Sequence, residues 1–344
     1  MLLKRLRTQI LKKEKVTLKF LAKQLGLDIS TVSKALNNKP DIAKSTCERV
    51  QKFALEVGYR PNLLAKGLIN KRTHMLGVII PDLRLSFYSQ VLEGIQQSAE
   101  ENGYMPILLL NDDNERIERK NLEFLASLPV DGILIDAAPG QQNVSLMNNI
   151  THQGIPLVFY DRYIPEVKAS RVTIDDISAS YNLSMSLIKS GKKRIAYMGP
   201  TEGMSVASDR FRGYMNALAA AGIEYDEKLV MRCKIDETDS KLHITSLLKK
   251  GIVPDGVVCM GGLVALGAGE TLLNAGYRIP GDFLLAEFGD NDIVAKLGVP
   301  YRSINQSPFE IGKSAVNLIR DEIERNRDID EFRHVIIPST LIEH

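Results

Sequence analysis

Residues 17–36 read TLKFLAKQLGLDISTVSKAL, and the spacing of their apolar positions decides how the head of the chain folds. Leu18, Leu21, Ala22 and Leu25 recur at helical spacing. Gly26 can take the left-handed conformation that ends a first helix. Asp28 is an N-cap for a second helix that carries Val32, Ala35 and Leu36 inward, which leaves Ile29, Ser30, Ser33 and Lys34 facing mostly outward. Two short helices across a sharp turn, with short polar side chains and one basic residue on the second, fit a DNA major groove. An ordinary helical hairpin in a core has the same periodicity.

On the amino side, residues 1–15, MLLKRLRTQILKKEK, read as a basic amphipathic arm. They hold no continuous apolar stretch and no small-residue cleavage site, so a secretory signal is not expected. Residues 16–60 complete a three-helix head. Its third helix spans about Lys44 to Val57, with Val50, Phe53, Ala54 and Val57 on one face and Gly58 as the stop. Residues 61–73 form a hinge and linker. Pro61 opens it, Asn62 can cap it, and Leu63, Leu64, Ala65 and Leu68 make one or two helical turns. A helix this short is marginal alone in water and is expected to fold together with a partner chain on DNA. A plain interdomain linker is the alternative.

The 344-residue chain is 44% hydrophobic and 25% charged, an ordinary globular composition of a length for two or three domains. Its net charge of +2 conceals an asymmetry. Residues 1–72 carry 17 Lys and Arg against 5 Asp and Glu, a net of +12, and the remainder carries 27 against 37, a net of −10. A basic head on an acidic body is an electrostatic signature of nucleic-acid binding by the head. Cys47, Cys233 and Cys259 are far apart and odd in number. They suggest neither a disulfide framework nor a zinc site, and a reducing cytoplasm is expected. No apolar run reaches the length of a membrane span.

From Met75 the pattern alternates. Strands are expected over 75–80, 104–110, 130–135 and 155–160, with helices over 87–103, 114–128 and 144–153. A helix follows Ile174. A second series has strands at 194–199, 228–233, 256–260 and 283–288 and helices at 207–221, 239–250 and 263–275. Strand 303–306, helix 308–325 and strand 334–338 close the chain. This alternation implies parallel sheets covered by helices on both faces, and two complete series imply two doubly wound subdomains. No Walker-type phosphate loop or HExxH occurs, and the glycines at 261, 262, 267 and 269 lack dinucleotide-fingerprint spacing. An enzyme is therefore not indicated, and no cofactor or metal is expected.

The stretch from Thr17 to Asn38, with TVS at 31–33, GYRPN at 58–62 and the leucine at 68, resembles the lactose-repressor (LacI/GalR) family of bacterial transcription regulators. LGVIIPD (76–82), DGILI (131–135), DRFRGY (209–214) and RSINQSPFEIG (302–312) are similar to that family's regulatory domain. The resemblance runs from Val16 through nearly the whole chain. It implies a periplasmic-binding-protein-like effector and dimerisation domain over 74–344. One subdomain would take about 74–174 plus 303–333, the other about 175–302 plus 334–344. Three crossovers would join them around a small ligand, a sugar or sugar derivative, in the cleft. It further implies a homodimer on a pseudo-palindromic operator. A dimer is expected over a tetramer because no leucine-heptad tail follows the last strand. A periplasmic-type sugar-binding protein with no regulatory DNA role would explain the body but not the basic head.

By this likeness Ile29, Ser30 and Lys34 sit at base-reading positions. Lys34 can donate to guanine O6 and N7 or sit on a phosphate, and Ile29 offers apolar contact. Thr31 and Ser33 contact phosphate or support the fold. Thr17 and Leu18 start the first helix, with Thr17 as phosphate ligand, N-cap or both. Asn37, Asn62 and Lys66 join the DNA-facing set. Leu68 matches the hinge leucine that wedges into a central minor-groove step, or it packs on its dimer mate. For the effector, the candidates are Asp82, Phe87, Tyr88, Asp161, Arg162, Arg210 and Asp290, with Asp292 competing for the last role. A carboxylate and an arginine across a cleft suit paired hydroxyls. Two departures from the family pattern stand out: Gly262 replaces an acidic or amide residue before the helix near 263, and EFGDND replaces the usual glycine-aromatic-Asp.

Overall fold

The computed structural model describes residues 16–60, 72–289, 292–325 and 331–344, and the chain divides into two compact units, one ending at Lys71 and one beginning at Arg72. The expectations placed on the arm 1–15, on Asn62, Lys66 and Leu68 of the hinge, and on Asp290 lie outside the described residues, as does the side chain of Asp292.

The head is built from α1 (Leu18–Leu25), α2 (Ile29–Leu36) and α3 (Lys44–Glu56). Leu21, Val32, Ala35 and Val50 are fully buried in one small core, so the apolar stripes read from the sequence do converge. Thr17 Oγ1 accepts from the Phe20 N–H at 3.2 Å and caps α1, and Gly26 ends that helix at φ 65. Tyr59 N donates to Ala54 O (2.9 Å) and Gly58 N to Leu55 O (3.2 Å), the paired bonds of a Schellman end to α3. Asp28 stands at the N-cap position of α2, but its side chain makes no capping hydrogen bond, so that expected cap is absent.

In the body, β1 (Met75–Ile80), β2 (Met105–Leu110), β3 (Gly132–Ile135), β4 (Leu157–Tyr160), β5 (Ser170–Thr173) and β11 (His334–Ile336) form one parallel sheet in the order β11-β5-β4-β3-β1-β2. The second sheet runs β12-β10-β9-β8-β6-β7, from β6 (Ile195–Met198), β7 (Val230–Met231), β8 (Gly256–Cys259), β9 (Leu284–Phe288), β10 (Tyr301–Asn305) and β12 (Thr340–Glu343). Only the β10–β12 ladder of this sheet is antiparallel. The inner strands are buried on both faces, which is why they read as unbroken apolar runs.

Covering helices follow the strands: α4 (Ser86–Glu101), α5 (Glu115–Ser127), α6 (Val144–His152), α7 (Asp176–Lys189), α8 (Ser205–Ala220), α9 (Glu237–Lys249), α10 (Gly262–Asn274), the short α11 (Asp292–Ala295) and α12 (Pro308–Glu324). The pair α4–α12 meets backbone to backbone. A Cβ on Gly94 would fall 2.1 Å from Phe309 O, and one on Gly312 would fall 2.0 Å from Val91 O. In the second subdomain Gly213 of α8 lets Ile177 O of α7 approach in the same way, at 2.3 Å from a would-be Cβ.

Two subdomain boundaries differ from expectation. The strand expected to open the return to the first subdomain at 303 is β10, which pairs with β9 in the second sheet. The strand expected in the second subdomain at 334 is β11, which pairs with β5 in the first. Only α12 between them packs on the first subdomain. Local period identifies a strand but not the sheet that accepts its hydrogen bonds, so strand, helix and strand read as one unit although the chain leaves the second sheet before the helix and returns to it only after β11. Strand β5 was not expected at all; it is four residues long with Arg171 only half-buried.

Candidate functional site

The second helix of the head presents a polar face. Ile29 is 48% exposed, Ser30, Lys34 and Asn37 are exposed, and Thr31 and Ser33 are half-buried. Asn37 Nδ2 donates to Ser33 O at 2.8 Å, closing the end of α2. Lys34 Nζ pairs with Asp41 Oδ2, and this hydrogen bond holds the Asp41 carboxyl below its usual range. Both partners are solvent-exposed, so the pair contributes little and Lys34 can exchange it for a phosphate or a base edge. No local pattern in the sequence singles out Asp41. Thr17 is exposed and already caps α1, whose first turn holds no acidic residue. The positive end of that helix is therefore open to an anion. Leu18 packs on the head core rather than standing free.

In the body, polar side chains collect where the strands end. Asn111, Asp136 and Asp161 directly follow β2, β3 and β4, the position at which open α/β sheets place ligands. Arg162 is 4% exposed. Its Nε donates to Asp136 Oδ1 at 2.6 Å and its Nη1 to Asp113 Oδ1 at 2.7 Å. Asp161 is 8% exposed and holds a left-handed backbone at φ 57, a conformation that Asp tolerates better than most residues. Behind them Glu118 Oε2 accepts from Ala138 N at 2.6 Å and Oε1 accepts from Asn143 at 2.9 Å. Burial pushes the carboxyls of Asp136, Asp161 and Glu118 above their usual range, against the pull of Arg162.

The second subdomain answers with Arg210 on α8. Its Nε donates to Asp176 Oδ1 at 2.7 Å, Nη1 to Met260 O at 3.1 Å and Nη2 to Gln306 Oε1 at 2.8 Å, while its guanidinium carbon lies 4.0 Å from the centre of the Phe288 ring. Arg210 also attracts the Asp161 carboxylate of the first subdomain. The two subdomains touch directly nearby. Tyr163 N donates to Ser205 Oγ at 3.1 Å, Gly140 N to Gly203 O at 3.3 Å, and Arg162 Nη1 approaches Met204 Sδ at 3.4 Å. A groove of about 370 Å³ runs beside these contacts, lined by residues 137–138, 140–141 and 162–165 on one side and 203–205 and 208–209 on the other.

Asp161 and Arg162 thus stand side by side after β4, and Arg210 lies within electrostatic reach of Asp161 from the second subdomain. Asp82 does not join them: it is held by Arg84, whose N–H donates at 2.7 Å and Nη2 at 2.8 Å. Phe87 and Tyr88 are each 7% exposed and meet edge-to-face at 5.2 Å, and Tyr88 lies within electrostatic reach of Arg162, Asp136 and Asp161. Asp136, Asp176 and Gln306 were missed. Each lies at or just past a strand end, and that position was the available signal.

Burial raises the Asp176 carboxyl to about 6 despite Arg210. Because the folded state holds this proton more tightly than the unfolded chain, the favourable contribution is complete below pH 3.8 and is lost as pH rises through about 6. Asp176→Asn should therefore be more stable relative to wild type at pH 7.5 than at pH 4.5, by roughly 1–3 kcal/mol. Urea unfolding at the two pH values measures the difference; an equal offset at both would exclude Asp176 as the titrating group.

Residues 17–62 match the family model described as bacterial regulatory proteins, lacI family, and residues 73–344 match that of periplasmic binding proteins and sugar binding domain of LacI family. The chain is 26% identical to the ribose operon repressor of Haemophilus influenzae, over 95% of this chain and 97% of that one. Among solved structures, the transcriptional regulator CelR–cellobiose complex matches with a TM-score of 0.71 at 26% identity, covering 95% and 98% of the two chains. The Lac repressor dimer bound to operator and the anti-inducer ONPF matches in fold with a TM-score of 0.83 at 20% identity, covering 96% and 98%.

Proposed function

The chain belongs to the lacI family of bacterial regulatory proteins, and from that premise we propose that it is a sequence-specific DNA-binding transcription regulator. It acts as a repressor and a homodimer on a pseudo-palindromic operator, under allosteric control by a sugar or sugar derivative held between its two subdomains. The observation that carries this reading is the presence on one chain of both family domains, a basic helix-turn-helix head and a two-subdomain body with Arg210 in its cleft. The relatives that match are regulators and not enzymes. The ribose operon repressor by name, and CelR by its cellobiose complex, support a sugar as the ligand class. Among the described residues no helix is long and apolar enough to cross a membrane. A sugar-binding protein without a DNA role would leave the head without a purpose.

Within this reading, Ile29, Ser30 and Lys34 face base edges, Thr17, Thr31, Ser33, Asn37, Asn62 and Lys66 serve the backbone contacts, and Leu68 is the minor-groove wedge. Selection from random duplexes should recover pseudo-palindromes with half-sites about one helical turn apart. Recovery of a single asymmetric half-site would refute the dimeric operator complex.

A further inference from the structure

Resting on the reading of the head as a DNA-binding module, we propose that Asp41 is a positioning residue for base recognition: it holds the Lys34 ammonium over a single guanine and withholds it from the phosphates. Lys34 lies on the exposed side of α2, and its Nζ donates to Asp41 Oδ2. A long side chain on a helix leans toward the preceding turn. Asp41 follows the other end of α2, so the pair draws the ammonium toward the C-terminal end of the helix. The loop that carries Asp41 is tied on both sides. Lys39 N donates to Lys34 O and Ile42 N to Lys39 O, each at 3.1 Å. Asn38 takes a left-handed backbone at φ 50, and its side-chain oxygen accepts from Gln51 Nε2 of α3 at 2.8 Å. Ile42, next to Asp41, packs on the head core. The carboxylate therefore stands on a fixed base, and it gives one anchor to a lysine that would otherwise sample many rotamers.

The chemistry of the pair separates bases from phosphates. An ammonium has three donors. One goes to Asp41, and two remain for the O6 and N7 acceptors of guanine in the major groove. Toward a phosphate the same pair is close to neutral. It releases little bound cation from the duplex, and so gains little of the sequence-independent attraction that drives non-specific binding. Asp41 is the one acidic residue in α2 and the loop after it, residues 29–43, where Lys34 and Lys39 are the cations. Both side chains of the pair are exposed in the free protein, where such a pair adds little to stability. A duplex that covers them excludes water and strengthens the bond, so the aim of the ammonium is held where it is used.

Duplexes selected from a random pool by the full-length protein, and a scrambled duplex of the same length, are the probes for fluorescence anisotropy. Asp41→Asn should bind the scrambled duplex more tightly and the selected duplex more weakly, so that the ratio of the two affinities falls ~10-fold or more. In a Lys34→Ala background the same change should no longer lower the ratio. Replacing the guanines of the selected site one at a time with 7-deazaguanine, which lacks the N7 acceptor, should cost the wild type ~5-fold or more at one position and Asp41→Asn nothing there. Glu48→Gln removes the same charge from an exposed site on α3 and should tighten both duplexes alike. Unchanged melting temperatures check that the heads remain folded. A ratio that Asp41→Asn leaves intact, or that Glu48→Gln lowers as much, overturns the proposal and leaves the DNA-binding reading standing. So does wild-type affinity that no 7-deazaguanine lowers. A wild-type protein that recovers no preferred sequence from the pool removes both.

Discussion

Replacing Arg210 with alanine is expected to lower the melting temperature of the body by roughly 6–20 °C and to abolish the effect of ligand on operator binding. The first effect follows from burial. Arg210 and Asp176 form an ion pair with side chains 6% and 5% exposed, and removing one member of such a pair leaves an uncompensated charge, at a cost of about 3–5 kcal/mol. For a domain of this size each kcal/mol is about 2–4 °C. The second effect follows from position. Arg210 ties Asp176 at the start of α7, Met260 at the end of β8 and Gln306 after β10, so it spans two of the segments that lead between the subdomains. Ligand-free operator binding should stay near wild type, because the head has its own core. Combining Arg210→Met with Asp176→Leu should recover much of the stability without restoring the response, which separates packing from ligand recognition. A normal ligand response in Arg210→Ala would remove the residue from the site.

Operator affinity should fall by ~10³–10⁵ between ~50 and ~200 mM salt if 6–10 phosphates are neutralised. The net charge of +12 over residues 1–72 supplies the cations for that many contacts. Fluorescence anisotropy across a salt series measures the slope, and a flat response would contradict DNA binding through this head. Lys34→Ala resolves the role of that side chain. A uniform loss of affinity with a slope reduced by about 1 marks a phosphate contact. An unchanged slope, with about 1–3 kcal/mol lost and specificity relaxed at one base pair, marks a guanine contact.

The head and the α/β class were legible because both rest on local period. Leu21, Val32, Ala35 and Val50 are the apolar face of short helices, and the unbroken runs MLGVII, GILI and LVFY are strands covered on both sides. Sheet membership was less legible. Strand β11 pairs with Arg171 to Thr173, over 160 residues away in the chain, and no local pattern carries that information. In the cleft, Arg210 was found through its segment and Asp161 through its strand. Asp136 and Asp176 were not, because a carboxylate after a strand is in sequence indistinguishable from a cap; only the approach of Arg162 and Arg210 sets them apart. Phe87 and Tyr88 are as buried as Asp161 and Arg162, and Tyr88 lies within electrostatic reach of Arg162 and Asp136.

Coupling between cleft and operator is tested most directly by titrating a cleft ligand into the dimer with and without saturating operator duplex. The two ligand affinities should differ by about 5–150-fold, or ~1–3 kcal/mol, in one direction or the other. Operator affinity measured with and without ligand must change by the same factor, because linkage is reciprocal. Identical ligand affinities in the presence and absence of operator would contradict allosteric control through this cleft.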